Sequence, residues 1–198
     1  YYFYERDTHE FYTFRDLRPN YYETKRRNPD AAPWSMPCTL RKAWNCAFDL
    51  KGPKVNDSGN LSATKETEAV YLGSAKPWLV VKNEWICRDF TTLVEKSAPN
   101  RREIDRLVVI KPEKVELRRF DTVEQVFSMG LFDEQDRDIR LEVRYSAQEE
   151  KVVQMLEQLA RQVRRGAEPP VFFGTVYRED DLIKFYPVEF FTDWEVRP

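Results

Sequence analysis

The stretch DIRLEVRYSAQEEKVVQMLEQLARQVRRGAEPPVFFGTVY, residues 138–177, indicates the fold class more clearly than any other part of the chain. Apolar and charged residues alternate over residues 138–145, which predicts a strand with one buried face and one face in water. Ser146 followed by Glu149 has the spacing of a capping box, which predicts a helix start, and apolar residues then recur at helical spacing. Gly166 and the two prolines that follow it end this helix.

Two more strands follow this helix. We expect Val171–Tyr177 and Leu182–Phe191 to form a hairpin around residues 179–181. Upstream, the apolar pattern predicts a strand at Leu107–Ile110 and a helix over residues 84–96. The order strand, helix, strand, strand favours an α+β fold, in which an antiparallel or mixed sheet carries its helices on one face.

The first 60 residues differ from the rest of the chain. Residues 1–22 show neither helical nor strand periodicity, and prolines interrupt regular structure further on. We therefore expect residues 1–60 to form an extended, irregular amino-terminal arm with one strand over residues 43–51. Residues 61–198 are expected to form the α+β domain.

The amino-acid composition narrows the classes of protein to which this chain can belong. The chain has 198 residues, of which 41% are hydrophobic and 33% charged, and these values are typical of a globular protein. Its formal net charge of −2 argues against nucleic-acid binding that depends mainly on phosphate contacts. No apolar run approaches the roughly 20 residues that cross a bilayer, so we expect a soluble protein without a transmembrane segment.

Cysteine, histidine and glycine are all scarce. Three cysteines at wide spacing, Cys38, Cys46 and Cys87, suit neither a disulfide framework nor a zinc site. His9 is the single histidine, and the six glycines cannot be assembled into a phosphate-binding loop. The sequence therefore predicts no metal site, no small-molecule cofactor, and reduced thiols in an intracellular, reducing compartment.

Aromatic residues crowd the amino terminus. Each large ring can bury roughly 150–250 Å² of surface, so a terminus this rich in rings needs something to cover it. We predict a non-catalytic structural or accessory subunit of a large multi-protein assembly, whose arm docks on neighbouring protein subunits. The rings expected to bind these partners are Tyr1, Tyr2, Phe3, Tyr4, Phe11, Tyr12, Phe14, Tyr21 and Tyr22.

The chain begins at Tyr1 rather than at a methionine. Together with the ring-rich terminus, this start favours a subunit from which a presequence has been removed. We therefore expect an organellar location, either mitochondrial or plastid.

A loose catalytic pattern offers a first alternative function. Pro29-Asp30 is followed by Asp49-Leu50-Lys51, which resembles metal-dependent nucleases of the PD-(D/E)xK type. The resemblance implies that Asp30 and Asp49 hold a Mg²⁺ ion and that Lys51 lies beside the attacking water. Strand periodicity places Asp49 and Lys51 on one face, as this chemistry requires.

Contact with RNA is a second alternative. A strand–helix–strand order with aromatic residues on the sheet is similar to the RNA-recognition motif, although the RNP1 consensus string is absent. Arg118 and Arg119 would supply phosphate contacts. We expect such a role within a larger ribonucleoprotein particle.

Overall fold

The computed structural model describes residues 1–15, 46–62, 64, 66–75, 81–118 and 120–192. The chain divides into two compact units, Tyr1–Val81 and Lys82–Pro198. This boundary lies about 20 residues beyond the position near residue 60 that we expected from the sequence. The reason is strand pairing, because Glu68–Ser74 is hydrogen-bonded to Cys46–Lys51 and therefore belongs to the first unit.

The first unit is built from short strands in the residues that the structure describes. They form three antiparallel pairs, β1 with β2, β3 with β6 and β4 with β5. The strands are β1 (Tyr2–Tyr4), β2 (Phe11–Thr13), β3 (Cys46–Lys51), β4 (Lys54–Val55), β5 (Leu61–Ser62) and β6 (Glu68–Ser74).

Residues 1–15 are thus a β-hairpin, where an irregular arm was expected. Strand β3 overlaps the strand predicted over residues 43–51, of which the first three residues lie outside the described part. Residues 16–45, the middle of the predicted arm, also lie outside it.

In its described residues, the second unit contains a seven-stranded mixed sheet and two short α-helices. The strand order is β7-β8-β12-β13-β11-β10-β9, in which the pairs β7–β8 and β11–β13 are parallel and the others antiparallel. The strands are β7 (Ile86–Cys87), β8 (Leu107–Ile110), β9 (Lys114–Leu117), β10 (Val126–Phe132), β11 (Asp138–Arg144), β12 (Val171–Glu179) and β13 (Leu182–Phe191). The helices are α1 (Leu93–Lys96) and α2 (Glu150–Arg164). The α+β class with a mixed sheet therefore holds, with far more strand than helix.

The core of this unit lies between helix α2 and the sheet. Leu156 and Leu159 of α2 are 0% exposed and belong to one apolar cluster with Phe127, Leu141 and Phe172 of the sheet. Fully burying a side chain of this kind contributes roughly 1.5–3 kcal/mol relative to leaving it in water. The amphipathic stripe read from the sequence is therefore the surface that joins helix and sheet.

The helix expected over residues 84–96 is wrong for most of its length. Instead, 3₁₀ turns at Asn83–Trp85 and Phe90–Thr92 flank β7, and only α1 is α-helical. The Asp89 side chain accepts the Thr91 N–H at 2.9 Å, which favours the 3₁₀ turn. Strand β7 also gains a parallel partner in β8, so pairing at a distance prevails over a weak local helical pattern.

A buried carboxylate connects the β10–β11 turn to the 3₁₀ turn that precedes α1. Asp133 is 3% exposed and accepts the N–H groups of Phe90 at 3.0 Å and Arg137 at 2.9 Å, as well as Arg137 Nε at 2.8 Å. Burial by itself would raise the pKa of Asp133, but these hydrogen bonds outweigh it and lower the pKa. Asp133 is therefore an ionised structural anchor.

Candidate protein-binding surface

The turn of the amino-terminal hairpin is tied together by one carboxylate. The Thr8 hydroxyl donates to the Glu5 carboxylate, and so do the N–H groups of Asp7 and Thr8, at 2.5–3.0 Å. These three donors stabilise the ionised form and lower the pKa of Glu5 to about 2. His9 completes the turn in the left-handed region, with φ of 60°, and the Glu5 N–H donates to the Glu10 carbonyl at 2.9 Å. The hairpin is thus ordered by its own polar groups.

One face of the hairpin packs inside the first unit. Phe3 lies opposite Tyr12 in the β1–β2 register, and both rings, with Phe14, contact Leu61, which is 8% exposed. Three further side chains from the β3–β6 pair join this small cluster: Phe48, Leu50 and Ala69. Phe3, Tyr12 and Phe14, expected from the sequence to bind a partner, therefore bury surface against this chain.

The other face of the hairpin carries a strip of rings that we call the outer rings: Tyr2, Tyr4 and Phe11. Tyr4 and Phe11 lie opposite each other with ring centroids 5.2 Å apart. The Tyr4 hydroxyl is also 2.6 Å from His9 Nδ1, which holds the ring in place. Tyr2 is 40% exposed, and Tyr1, whose ring lies 6.1 Å from that of Phe14, is 45% exposed. Within the hairpin, the exposed aromatic surface thus lies mainly at the start of β1.

A second exposed apolar group lies on β6. We call Val70, Tyr71 and Leu72 the β6 stripe, and they are 43%, 43% and 53% exposed. Tyr71 pairs with Phe48 on the side of the Leu61 cluster, whereas Val70 pairs with Asp49 on the opposite face. A shift in register between Ala47 and Phe48 leaves Leu72 without a partner residue on β3.

The residues of the nuclease hypothesis are only partly described. Asp49 and Lys51 both lie on β3, are exposed, and share a face, as the strand period predicted. Asp30 lies outside the described residues. Across the described parts of the chain, no three His, Cys, Asp or Glu side chains come together as a metal site would require. Metal-dependent cleavage stays a prediction.

Of the two arginines of the RNA hypothesis, the structure describes one. Arg118 forms an ion pair with Asp138, and its guanidinium lies over Gly130, where an added Cβ would approach Nε to 3.2 Å. Its charge is therefore partly engaged within the sheet. Arg119 lies outside the described residues, as do Tyr21 and Tyr22 of the predicted docking arm. RNA contact stays a prediction.

Sequence reasoning missed a charged cluster on the sheet of the second unit. Lys184 of β13 is 8% exposed, and its Nζ lies 2.8 Å from Glu142 Oε2 on β11 and 2.5 Å from Glu179 Oε2 on β12. Burial by itself would lower the pKa of Lys184, but the hydrogen bonds that its ammonium donates to both carboxylates outweigh burial and raise the pKa. The same contact with Lys184 lowers the pKa of Glu179. The ion-paired Lys184 thus links three strands of the sheet.

In the part of the chain that the structure describes, neither α-helix is long and apolar enough to cross a membrane.

No family model matches this chain, and no curated protein matches it either. Among solved structures, the chain is similar to "OBody AM1L10 bound to hen egg-white lysozyme", with 11% sequence identity and a TM-score of 0.29. The match covers 45% of this chain and 79% of that chain. A likeness this weak supports no statement about fold or function.

Proposed function

We propose that this protein is a non-catalytic subunit of a multi-protein assembly and that its amino-terminal hairpin docks on a neighbouring subunit. The observation that carries the proposal is the exposure of Tyr1 and Tyr2 at the start of β1. Aromatic side chains are enriched where protein partners meet and supply most of the binding energy there. The hairpin therefore replaces the extended arm as the docking element.

Order in the free hairpin supports this role. The inner rings of Phe3 and Tyr12 anchor it on Leu61, and the carboxylate of Glu5 closes its turn. A preorganised surface loses little conformational freedom on binding, so more of the contact energy appears as affinity. Tyrosine suits such a surface because its ring is apolar while its hydroxyl can hydrogen-bond to a partner.

We also infer that both α-helices of the second unit cover one face of its sheet. Leu93 of α1 and Leu156 of α2 belong to the same apolar cluster, which supports this arrangement. The opposite face of the sheet then carries paired charges such as Lys184 with Glu142, which favour contact with water or with a polar partner.

The proposal is tested by asking whether the exposed tyrosines hold the protein in its complex. A tagged full-length chain, expressed in its own cells, is isolated gently and examined by native mass spectrometry. We expect the wild type to emerge with protein partners in fixed stoichiometry. The variant Tyr1→Ser/Tyr2→Ser should emerge alone, because two exposed anchors are lost while the fold is spared.

Val123→Ser is the matched control. Val123 is 86% exposed but lies in the second unit, so its replacement removes similar apolar surface from a different place. This variant should retain the partners. Partners that remain with the double tyrosine variant, or a wild type that is isolated alone, would refute docking through the hairpin.

A further inference from the structure

Strand β6 has one strand partner among the described residues. It pairs with β3 in a sheet of two strands, which leaves the other edge of β6 without a strand alongside it in that part of the chain. Outside the β3 ladder, no backbone hydrogen bond joins residues 69–74 to the described parts of the chain. An edge of this kind offers alternating N–H and C=O groups to any strand that approaches.

The sequence of β6 lacks the usual protection of an open edge. Proteins commonly place lysine, proline or inward-pointing charges on such strands to prevent pairing between molecules. The strand reads EAVYLGS, with no lysine or proline and with its one charge, Glu68, at the first position. The β6 stripe at its centre is apolar and exposed instead.

We propose that a second copy of this chain pairs with β6 along this edge, antiparallel and about a two-fold axis at Tyr71. Such an axis places Tyr71 opposite Tyr71, Val70 opposite Leu72, and Glu68 opposite Ser74. Apolar residues then face apolar residues, and the single charge faces a hydroxyl. In-register parallel pairing would bring Glu68 beside Glu68, and like charges across a strand pair are destabilising.

A second copy of the chain suits the edge of β6 because the strand is complementary to itself in this register. The proposal goes beyond the docking role of the hairpin, since it uses a different surface. Main-chain hydrogen bonds supply the affinity in strand addition, and alternate side chains supply the specificity. A seven-residue strand pair is a small interface, of the class below about 1,200 Å² that forms weak, transient complexes. The dimer should therefore dissociate on dilution.

Sedimentation equilibrium of the full chain at about 1–300 μM tests the association, a range that brackets micromolar dissociation constants. We expect the apparent mass of the wild type to rise from monomer to dimer with concentration. Val70→Lys should remain a monomer throughout, because it places a charge beside Leu72 of the other copy. Val55→Lys is the control, since Val55 is 50% exposed in the same unit but lies on β4.

Cross-linking tests the register. With Tyr71→Cys, a thiol lies opposite its own copy, and copper phenanthroline should oxidise the two thiols to an intermolecular disulfide. Val55→Cys and the wild type, which keeps its own cysteines, should cross-link at least about tenfold less under the same conditions.

Several outcomes overturn the proposal. They are a wild type that stays monomeric at every concentration, a dimer that persists in Val70→Lys with an unchanged circular dichroism melt, or equal cross-linking at positions 71 and 55. Loss of a different protein partner in Val70→Lys, without any self-association of the wild type, would also overturn it. The double tyrosine variant should still dimerise, so failure here and failure of hairpin docking are separate results.

Discussion

Glu189 is an acidic residue in surroundings that disfavour its charged form. It lies on β13 opposite Phe173 and is half-buried, and its carboxylate accepts the N–H of Phe190 at 3.0 Å. Burial raises the pKa of Glu189 above its ordinary value of 4.5, and the hydrogen bond from Phe190 offsets only part of this effect. Among the described residues, no cation forms an ion pair with it to favour the charged form.

Replacing Glu189 by glutamine should raise the melting temperature at pH 7. A carboxyl whose pKa is raised by folding contributes fully to stability when the pH is below its pKa in the unfolded state. This contribution is lost as the pH rises through its pKa in the folded state. Glutamine keeps the size of the side chain but carries no charge. The gain should therefore be present at pH 7 and should shrink towards zero near pH 4.

Thermal unfolding of Glu189→Gln and of wild type between pH 4 and pH 8 measures how the difference in melting temperature depends on pH. Glu134→Gln, in the exposed turn between β10 and β11, is a suitable control and should show no such trend. A lower melting temperature for Glu189→Gln at pH 7 would contradict the assigned effect of burial.

Strand β13 is held in the sheet by charge as well as by backbone hydrogen bonds. It lies between β12 and β11, and Lys184 contacts an acidic side chain on each of them. The contact with Glu142 is the more enclosed one, because the side chain of Glu142 is 13% exposed. Removing Lys184 would leave the Glu142 carboxylate, which is poorly exposed, with only its longer contact to Arg140 Nη1 at 3.5 Å, so its charge would be less well compensated.

Lys184→Met should therefore destabilise the protein by about 2 kcal/mol. Adding Glu142→Gln should restore part of that loss, because the carboxylate that lost its nearer cation is gone, so the two effects should differ from additivity by about 1 kcal/mol. Urea unfolding of the two single variants and the double variant measures the coupling.

Arg161→Met is the control for this double-mutant cycle of Lys184 and Glu142. Arg161 pairs with Glu157 on an exposed side of α2, and its loss should change stability by less than about 0.5 kcal/mol. Strict additivity between positions 184 and 142 would show that the pair does not hold β13 in place.

The two units have very different cores. The second unit has a large apolar cluster that includes Phe127, Leu141 and Phe185, each 0–1% exposed. In the first unit, among the described residues, the cluster has one buried apolar residue, Leu61, with partly buried side chains around it. The second unit should therefore gain more stability from buried apolar area than the first unit does.

We expect the first unit to open at a lower free energy than the second. In hydrogen exchange on the full chain, amides of β3 should exchange at least about tenfold faster than those of β11. A fragment spanning residues 82–198 should fold by itself with cooperative thermal unfolding. Equal protection of β3 and β11, or an unfolded fragment, would mean that the units depend on each other for stability.

Local pattern was sufficient for much of the second unit. Alternation identified β11, helical spacing with Gly166 identified α2, and the apolar runs after the prolines identified the β12–β13 hairpin. These signals succeed because burial of one face imposes a period of 2 or 3.6 on neighbouring residues. The same local logic was wrong at residues 84–96, where the apolar spacing suited a helix but β7 found a strand partner in β8.

For the candidate site, aromatic content alone marked the amino terminus as a surface for contacts. It did not separate the inner ring of Phe3 from the outer ring of Tyr2, because that choice depends on where Leu61 packs, and Leu61 lies almost 60 positions further along the chain. Contacts between distant segments also decide that β13 lies between β11 and β12 and that Lys184 is buried. Periodicity in a sequence reports which face of an element is apolar, whereas the partner that covers that face is selected by contacts between distant segments.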